Sequence, residues 1–178
     1  MELNKYYSGI GSRDTPPHII NQMIELAQIA AQHEWTLNSG GADGADRAFE
    51  MGCDLVKGQK QIYLPWENFN NNGSNLIILN DNQYKIASAI HPRWDILRPR
   101  AKNLMARNVC QVLGSDLKTP VKCVICWTPD GCETFEKYGK STGGTGMAIA
   151  LASINNIPVF NLKLNLRYEE SIDFLLNN

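Results

Sequence analysis

The chain has 178 residues, 43% of them apolar, with 17 Lys and Arg against 18 Asp and Glu. A chain of that length builds a core without disulfide or metal staples, and the default is one domain. The near-zero net charge argues against a broadly electrostatic nucleic-acid binder while leaving room for a local basic patch.

No apolar run approaches the roughly 18 residues of a membrane span, and the N-terminus shows neither region of a signal peptide. The expectation is a cytoplasmic protein with no membrane partner. In chain order, "KYYSGIG" (5–11) reads as a first strand. A helix follows, with Asp14 or Thr15 as its cap, Pro16 in its first turn, and an apolar stripe of Ile20, Met23, Ile24, Ala27 and Ala31. "EWTLNSG" (34–40) is a second strand. After Gly44 a helix places Ala45, Ala48 and Phe49 on one side, and Gly52 can end it. "KQIYLPW" (60–66) is a third strand. Residues 67–92, rich in asparagine, interrupt the rhythm and read as an insertion or lid. "RPRAKNLMARNVCQVLG" (98–114) is a helix opened by Pro99, and "VKCVICWTPDG" (121–131) a buried strand followed by a polar loop to 142. "GGTGMAIALASINN" (143–156) is a helix of small residues closed before Pro158. "IPVFNL" is the last inner strand, and "RYEESIDFLLNN" an amphipathic helix.

No repeat or linker divides this pattern, which predicts a single domain over 1–178. Alternating strands and helices predict an α/β, Rossmann-like, doubly wound fold: a mainly parallel sheet of about five strands with helices on both faces. Ligands of such sheets bind outside the carboxyl ends of the strands, where strand order reverses. The glycine-rich segments "GIGSR", "SGGADGAD", "WTPDG" and "STGGTG" all fall at those ends.

A helix N-terminus leaves amides unpaired and carries partial positive charge, and glycine lets an anion approach the backbone closely. Gly40, Gly41 and Gly44 fit that need, as do Gly143, Gly144 and Gly146 with Ser141, Thr142 and Thr145 beside them. The bland alternative is tight strand-to-helix turning. "GKST" (139–142) imitates a nucleoside-triphosphatase loop, but Thr134 stands where its first glycine is required. On the helix from Pro99, Arg100, Asn103, Arg107 and Gln111 form a polar stripe beside the apolar face of Ala101, Leu104, Met105, Val109, Val112 and Leu113. The stripe is either a solvated basic face or part of a phosphate site, in which Arg100 and Arg107 grip phosphate oxygens and Asn108 ties a neighbouring loop. Trp66, Trp94 and Trp127 are ordinary half-buried aromatics or stacking platforms for a nucleobase. Cys123 and Cys126 form a CxxC within a strand, where side chains three apart point to opposite faces. That favours core packing over redox or metal chemistry, and no metal site is expected.

Together these segments resemble the SLOG group, which contains DNA processing protein A and the LONELY GUY nucleotide phosphoribohydrolases. "GIGSR", "SGGADGADRAFEMG", "RPRAKNLMARN", "VICWTPDG" and "GGTGMAIALASINNIPVFNL" occur in that group's order. The resemblance covers most of the chain outside 67–90. Its Gly-Ser-Arg, Ser-Gly-Gly-Ala-x-Gly-Ala-Asp and Arg-Asn elements are most like DNA processing protein A, and the combination resembles small members encoded by tailed bacteriophages. The resemblance implies a site for a nucleotide or nucleic-acid phosphate lined by Gly11, Ser12, Arg13, Ser39, Gly40, Gly41, Gly44, Asp46, Arg107 and Asn108, closed by Gly143, Gly144, Thr145 and Gly146, with Arg100 and Trp127 as further contacts. It implies no cofactor. By analogy alone it suggests a homodimer or higher homo-oligomer.

One departure bears on catalysis. The phosphoribohydrolases place a glutamate one turn after the glycine-rich segment, and Ala150 stands there. Asp43, Asp46, Asp130 and Glu133 are the carboxylates that could replace it. Three functions follow. The first is binding of a small nucleotide of adenine, cyclic or ADP-ribose type, which in a phage would sequester a host defence signal. The second is single-stranded DNA binding, favoured by the basic run from Arg93 to Arg107. The third is cleavage of a nucleotide N-glycosidic bond. The phosphate chemistry without a complete catalytic set favours the first.

Overall fold

A computed structural model describes residues 5–178. Five strands, β1 (Tyr6–Gly9), β2 (Thr36–Ser39), β3 (Lys60–Ile62), β4 (Cys123–Cys126) and β5 (Val159–Asn161), form one sheet in the order β3-β2-β1-β4-β5. Every pairing is parallel, as the alternation of elements predicts. Six helices surround it: α1 (Pro17–Gln32), α2 (Ala45–Leu55), α3 (Asp81–Ile90), α4 (Pro99–Leu113), α5 (Thr145–Ile154) and α6 (Arg167–Asn177).

The burial of each strand follows its place. All four residues of central β4 are buried, whereas edge strand β3 begins exposed at Lys60. Helices α1, α2 and α6 cover one face over Met23, Leu26, Trp35, Leu37 and Phe49. Helices α3, α4 and α5 cover the other over Met105, Val109, Val124, Met147 and Ile149. Cys123 belongs to the first core and Cys126 to the second, so the CxxC does straddle the sheet. Burial pushes both thiols well above the ordinary range.

The sequence expectations need two adjustments. Helix α1 begins one or two residues later than the Asp14 or Thr15 cap predicts: Pro16 takes the cap position, and the Thr15 hydroxyl donates to the Ser12 carbonyl (2.7 Å) in the preceding loop. The 67–92 segment contains a short 3₁₀ turn (Phe69–Asn71) and helix α3, which Asn80 and Gln83 cap reciprocally and which packs on α4 and α5. Its asparagines also serve the frame. Asn70 donates to the Gly41 carbonyl (3.1 Å) and Asn72 to Glu50 (2.9 Å), fastening the segment to the β2–α2 loop and to α2.

Strand order reverses between β1 and β4, whose following loops diverge to opposite sides of the sheet. That leaves a crevice at their carboxyl ends.

Candidate functional site

The β2–α2 loop closes against the β1–α1 loop. Gly44, at φ +78°, has no room for a side chain, because a Cβ there would run into the backbone of Ser12 and Arg13. The Ala45 amide donates to the Ser12 carbonyl (3.3 Å), and the Ser12 amide donates to the Trp127 carbonyl (3.1 Å). The glycines of this turn therefore bring loop against loop. Gly40 answers a different constraint, since the Arg107 guanidinium fills the space its side chain would need.

Arg107 reaches that position from α4. Its Nη1 donates to the Gly40 carbonyl and, at 3.4 Å, to that of Tyr63. Asp46 lies 3.7 Å away and accepts the Ala42 amide at 3.4 Å. Both residues are buried, Arg107 at 5% exposure and Asp46 at 3%. Burial pushes the Asp46 carboxyl up to about 6, against the opposing pull of Arg107 and the amides of Ala42, Gly11 and Gly40. Burial likewise lowers the Arg107 guanidinium, against the pull of Asp46. The anion seated in the "SGGADGAD" turn is thus the chain's own carboxylate. The inward placement of Arg107 and Gln111 also rules out the solvated-face reading for that half of the α4 stripe.

The second glycine turn differs. Gly143 sits at φ +69° with open space where a side chain would be. Gly144 starts α5 in ordinary helical geometry, and its carbonyl accepts from Asn108 Nδ2 at 3.0 Å. Among the described residues, the amides of Gly143, Gly144 and Thr145 make no hydrogen bond. These three residues line a cavity of about 310 Å³ whose other walls are Ile10, Leu104 and Met105, the Gly11–Asp14 loop, Ala42, Asp46, Arg107, Asn108, Gln111 and Thr142.

That cavity brings together Gly11, Ser12, Arg13, Asp46, Arg107, Asn108, Gly143, Gly144 and Thr145. Other candidates lie elsewhere. Ser39 is buried and donates to the Gly9 carbonyl (2.7 Å), Gly40 sits behind Arg107, and Gly146 packs under the Tyr138 ring. Trp127, 7% exposed, belongs to the α1–α2–α6 core. Arg100 is exposed and lies 5.4 Å over the Trp66 ring. Gly41 and Asp43 line a separate cavity beside the outer face of α2.

Of the four carboxylates considered for glycosidic cleavage, Asp46 alone lines the cavity shared by Arg107 and the first turn of α5. Asp43 faces solvent near Arg47 (3.8 Å). Asp130 accepts from Thr128 (2.8 Å), Thr142 (2.6 Å) and Ser141 (3.0 Å), tying the loop before α5 to the end of β4. Burial alone would push its carboxyl up, but the bonds from Thr142, Thr128, Cys132 and Ser141 hold it below the ordinary value. Glu133 is engaged by Arg167 (2.8 and 2.9 Å) and by the Asn161 amide (2.9 Å). Ala150 is buried within α5.

Sequence reasoning missed Ile10, Asp14, Ala42, Leu104, Met105 and Gln111 as lining residues. Leu104 and Met105 lie four and three residues before Asn108, so helical spacing places them on its face.

The fold has a counterpart among solved structures. The chain has a fold like that of DNA processing protein A. The likeness is to the single-stranded DNA-binding protein of that name from Helicobacter pylori, at 19% identity and a TM-score of 0.59, covering 98% of this chain and 81% of that one. A molybdenum cofactor carrier protein from Chlamydomonas reinhardtii aligns over 86% of this chain and 98% of its own, at 18% identity and a TM-score of 0.41. No family model and no curated protein matches the chain. No helix among the described residues is long and apolar enough to cross a membrane.

Proposed function

We propose that the protein, acting as one domain, binds a small nucleotide of adenine, cyclic or ADP-ribose type. Its phosphate sits against the first turn of α5, and its base and sugar lie on the wall of Ile10, Leu104 and Met105. One observation supports this above the others. Gly143, Gly144 and Thr145, whose amides are unbonded among the described residues, stand at the N-terminus of a 10-residue helix and line the same cavity as buried Arg107 and Asn108. The volume, about 310 Å³, falls within the range of small-ligand sites. In a bacteriophage, as the sequence resemblance suggests, such a protein sequesters a nucleotide signal of host defence.

The test is a thermal-shift screen followed by calorimetry with adenine nucleotides and ADP-ribose derivatives, on wild type and Gly144→Val. Gly144 has ordinary helical backbone, and an added Cβ would stand 3.3 Å from the Met105 side chain, so valine shields the amides without backbone strain. The variant should bind at least about tenfold more weakly, as expected for lost charge-assisted amide bonds. No binding by wild type, or unchanged binding by the variant, rejects the site.

A second reading, single-stranded DNA binding, is favoured by one feature. Trp66 and Trp94, both half-buried, flank the start of α4 with Arg100 and Lys102 over their rings at 5.4 and 5.2 Å. Stacked aromatics with adjoining cations suit successive bases and phosphates. Affinity for oligonucleotides that falls steeply with salt supports this reading, and flat salt dependence removes it.

A further inference from the structure

We propose that this site prefers the phosphodiester monoanion of a cyclic nucleotide or dinucleotide over the dianionic terminal phosphate of a nucleoside monophosphate, because the buried Asp46 carboxylate shares the cavity with the phosphate-binding turn. The proposal rests on the nucleotide reading and names its ligand class.

The fixed charges lining the cavity balance, with Arg13 and Arg107 set against Asp14 and Asp46. Arg107 faces Asp46 at 3.7 Å, and its Nη1 is committed to the Gly40 carbonyl. What remains for a ligand on this side is the rest of the guanidinium: among the described residues Arg107 Nη2 makes no hydrogen bond, and Nε is buried without a partner. The other attraction is the N-terminus of α5, equivalent to about half a positive charge. Together these suit one negative charge. A second charge would stand in a low-dielectric site beside an ionised carboxylate, where like charges disfavour one another strongly.

Beyond Arg107 and the amides of Ala42, Gly11 and Gly40, no group around Asp46 answers its charge. From α4 it meets Arg107, with the Cys110 thiol beyond, pushed up to about 11 chiefly by burial and therefore neutral. From the β1–α1 loop come Arg13, whose charge bears on Arg107, and exposed Asp14. On α2 itself Asp43 and Arg47 face each other at the surface. The lining residues next to α5 offer the Thr145 hydroxyl, that of Thr142 being committed to Asp130, and no titratable group. With its carboxyl at about 6, Asp46 is ionised at pH 8 and begins to take up a proton as the pH falls toward 6.

The experiment is calorimetry on the whole protein at pH 8 with two diesters and two monoesters. The diesters are adenosine 3′,5′-cyclic monophosphate and adenylyl-(3′→5′)-adenosine; the monoesters are 5′-AMP and 3′-AMP. The diesters should bind at least about tenfold more tightly, the scale expected for one like-charge contact in a buried site. The gap should shrink toward pH 6, because a monoester phosphate has its second pKa at about 6. Asp46→Asn keeps an oxygen to accept the Ala42 amide and should narrow the gap at pH 8 by strengthening monoester binding. Monoesters that match or exceed the diesters at pH 8 overturn the proposal and leave the nucleotide reading standing. If none of the four binds, the proposal falls, and the nucleotide reading falls with it when ADP-ribose derivatives also fail to bind. Should Asp46→Asn fail to fold, the wild-type series decides alone, and a gap unchanged between pH 8 and pH 6 overturns the proposal.

Discussion

Arg107 and Gly40 are fitted to each other: the guanidinium donates to the Gly40 carbonyl and fills the volume a side chain at position 40 would need. Gly40→Ala should therefore lower stability by about 2 kcal/mol or more, in the range of overpacked cores. Adding Arg107→Met to it should recover less than the clash is worth, since Asp46 is then left buried and unpaired. Urea denaturation of the single and double variants measures both effects.

Asp46 gives the protein a pH dependence of unusual sign. Its carboxyl is raised from an ordinary 3.8 to about 6, so between those values the folded state binds more protons than the unfolded one. Stability from this group is complete below pH 4, falls as the pH rises to 6, and is flat above. The loss is on the order of 3 kcal/mol. Asp116, Asp130 and Glu136, with lowered values, work in the opposite direction. The measurement is therefore the difference in urea midpoint between wild type and Asp46→Asn from pH 4 to 7, which should change sign-consistently with pH in the wild type's disfavour.

Ser8, Asn38 and Gln61 lie side by side across β1, β2 and β3 in register with Val124, which belongs to the α3–α4–α5 core. Both amide atoms of Asn38 and the Ser8 hydroxyl are buried with no partner among the described residues. Asn38→Leu should accordingly be neutral or stabilising, within about 1 kcal/mol, because it removes unpaired polar groups of similar volume. A thermal melt of the variant decides. A loss well beyond that size would mean that Asn38 has partners in solution.

Gly143 at φ +69° has space for a side chain but not the backbone geometry for one. Gly143→Ala should cost about 1–3 kcal/mol of stability, because φ +69° with ψ −158° is backbone that essentially only glycine adopts. Gly144→Ala, in ordinary helical geometry, should cost less, and chemical denaturation compares them.

The architecture was legible because each element announces itself by period. Strands such as "VKCVIC" are short and continuously apolar, and α4 alternates Leu104, Met105, Val109 and Val112 at helical spacing. The site was legible only in part. The "STGGTG" turn does present open amides, whereas the equally glycine-rich "SGGADGAD" turn holds its own aspartate and clears a path for Arg107. Composition cannot separate these cases, because glycine admits a ligand, a guanidinium or a neighbouring loop alike. Trp127 misled for a similar reason: a tryptophan at a strand end suits stacking, and only the packing of α1, α2 and α6 reveals that its ring is core.

All five cysteines are buried, and each thiol is held above its ordinary range mainly by burial. Those of β4 are separated by the sheet itself. An alkylating reagent thus meets sulfur only after the molecule opens, so the pace of labelling serves as an intrinsic clock for opening, with no probe attached to the chain.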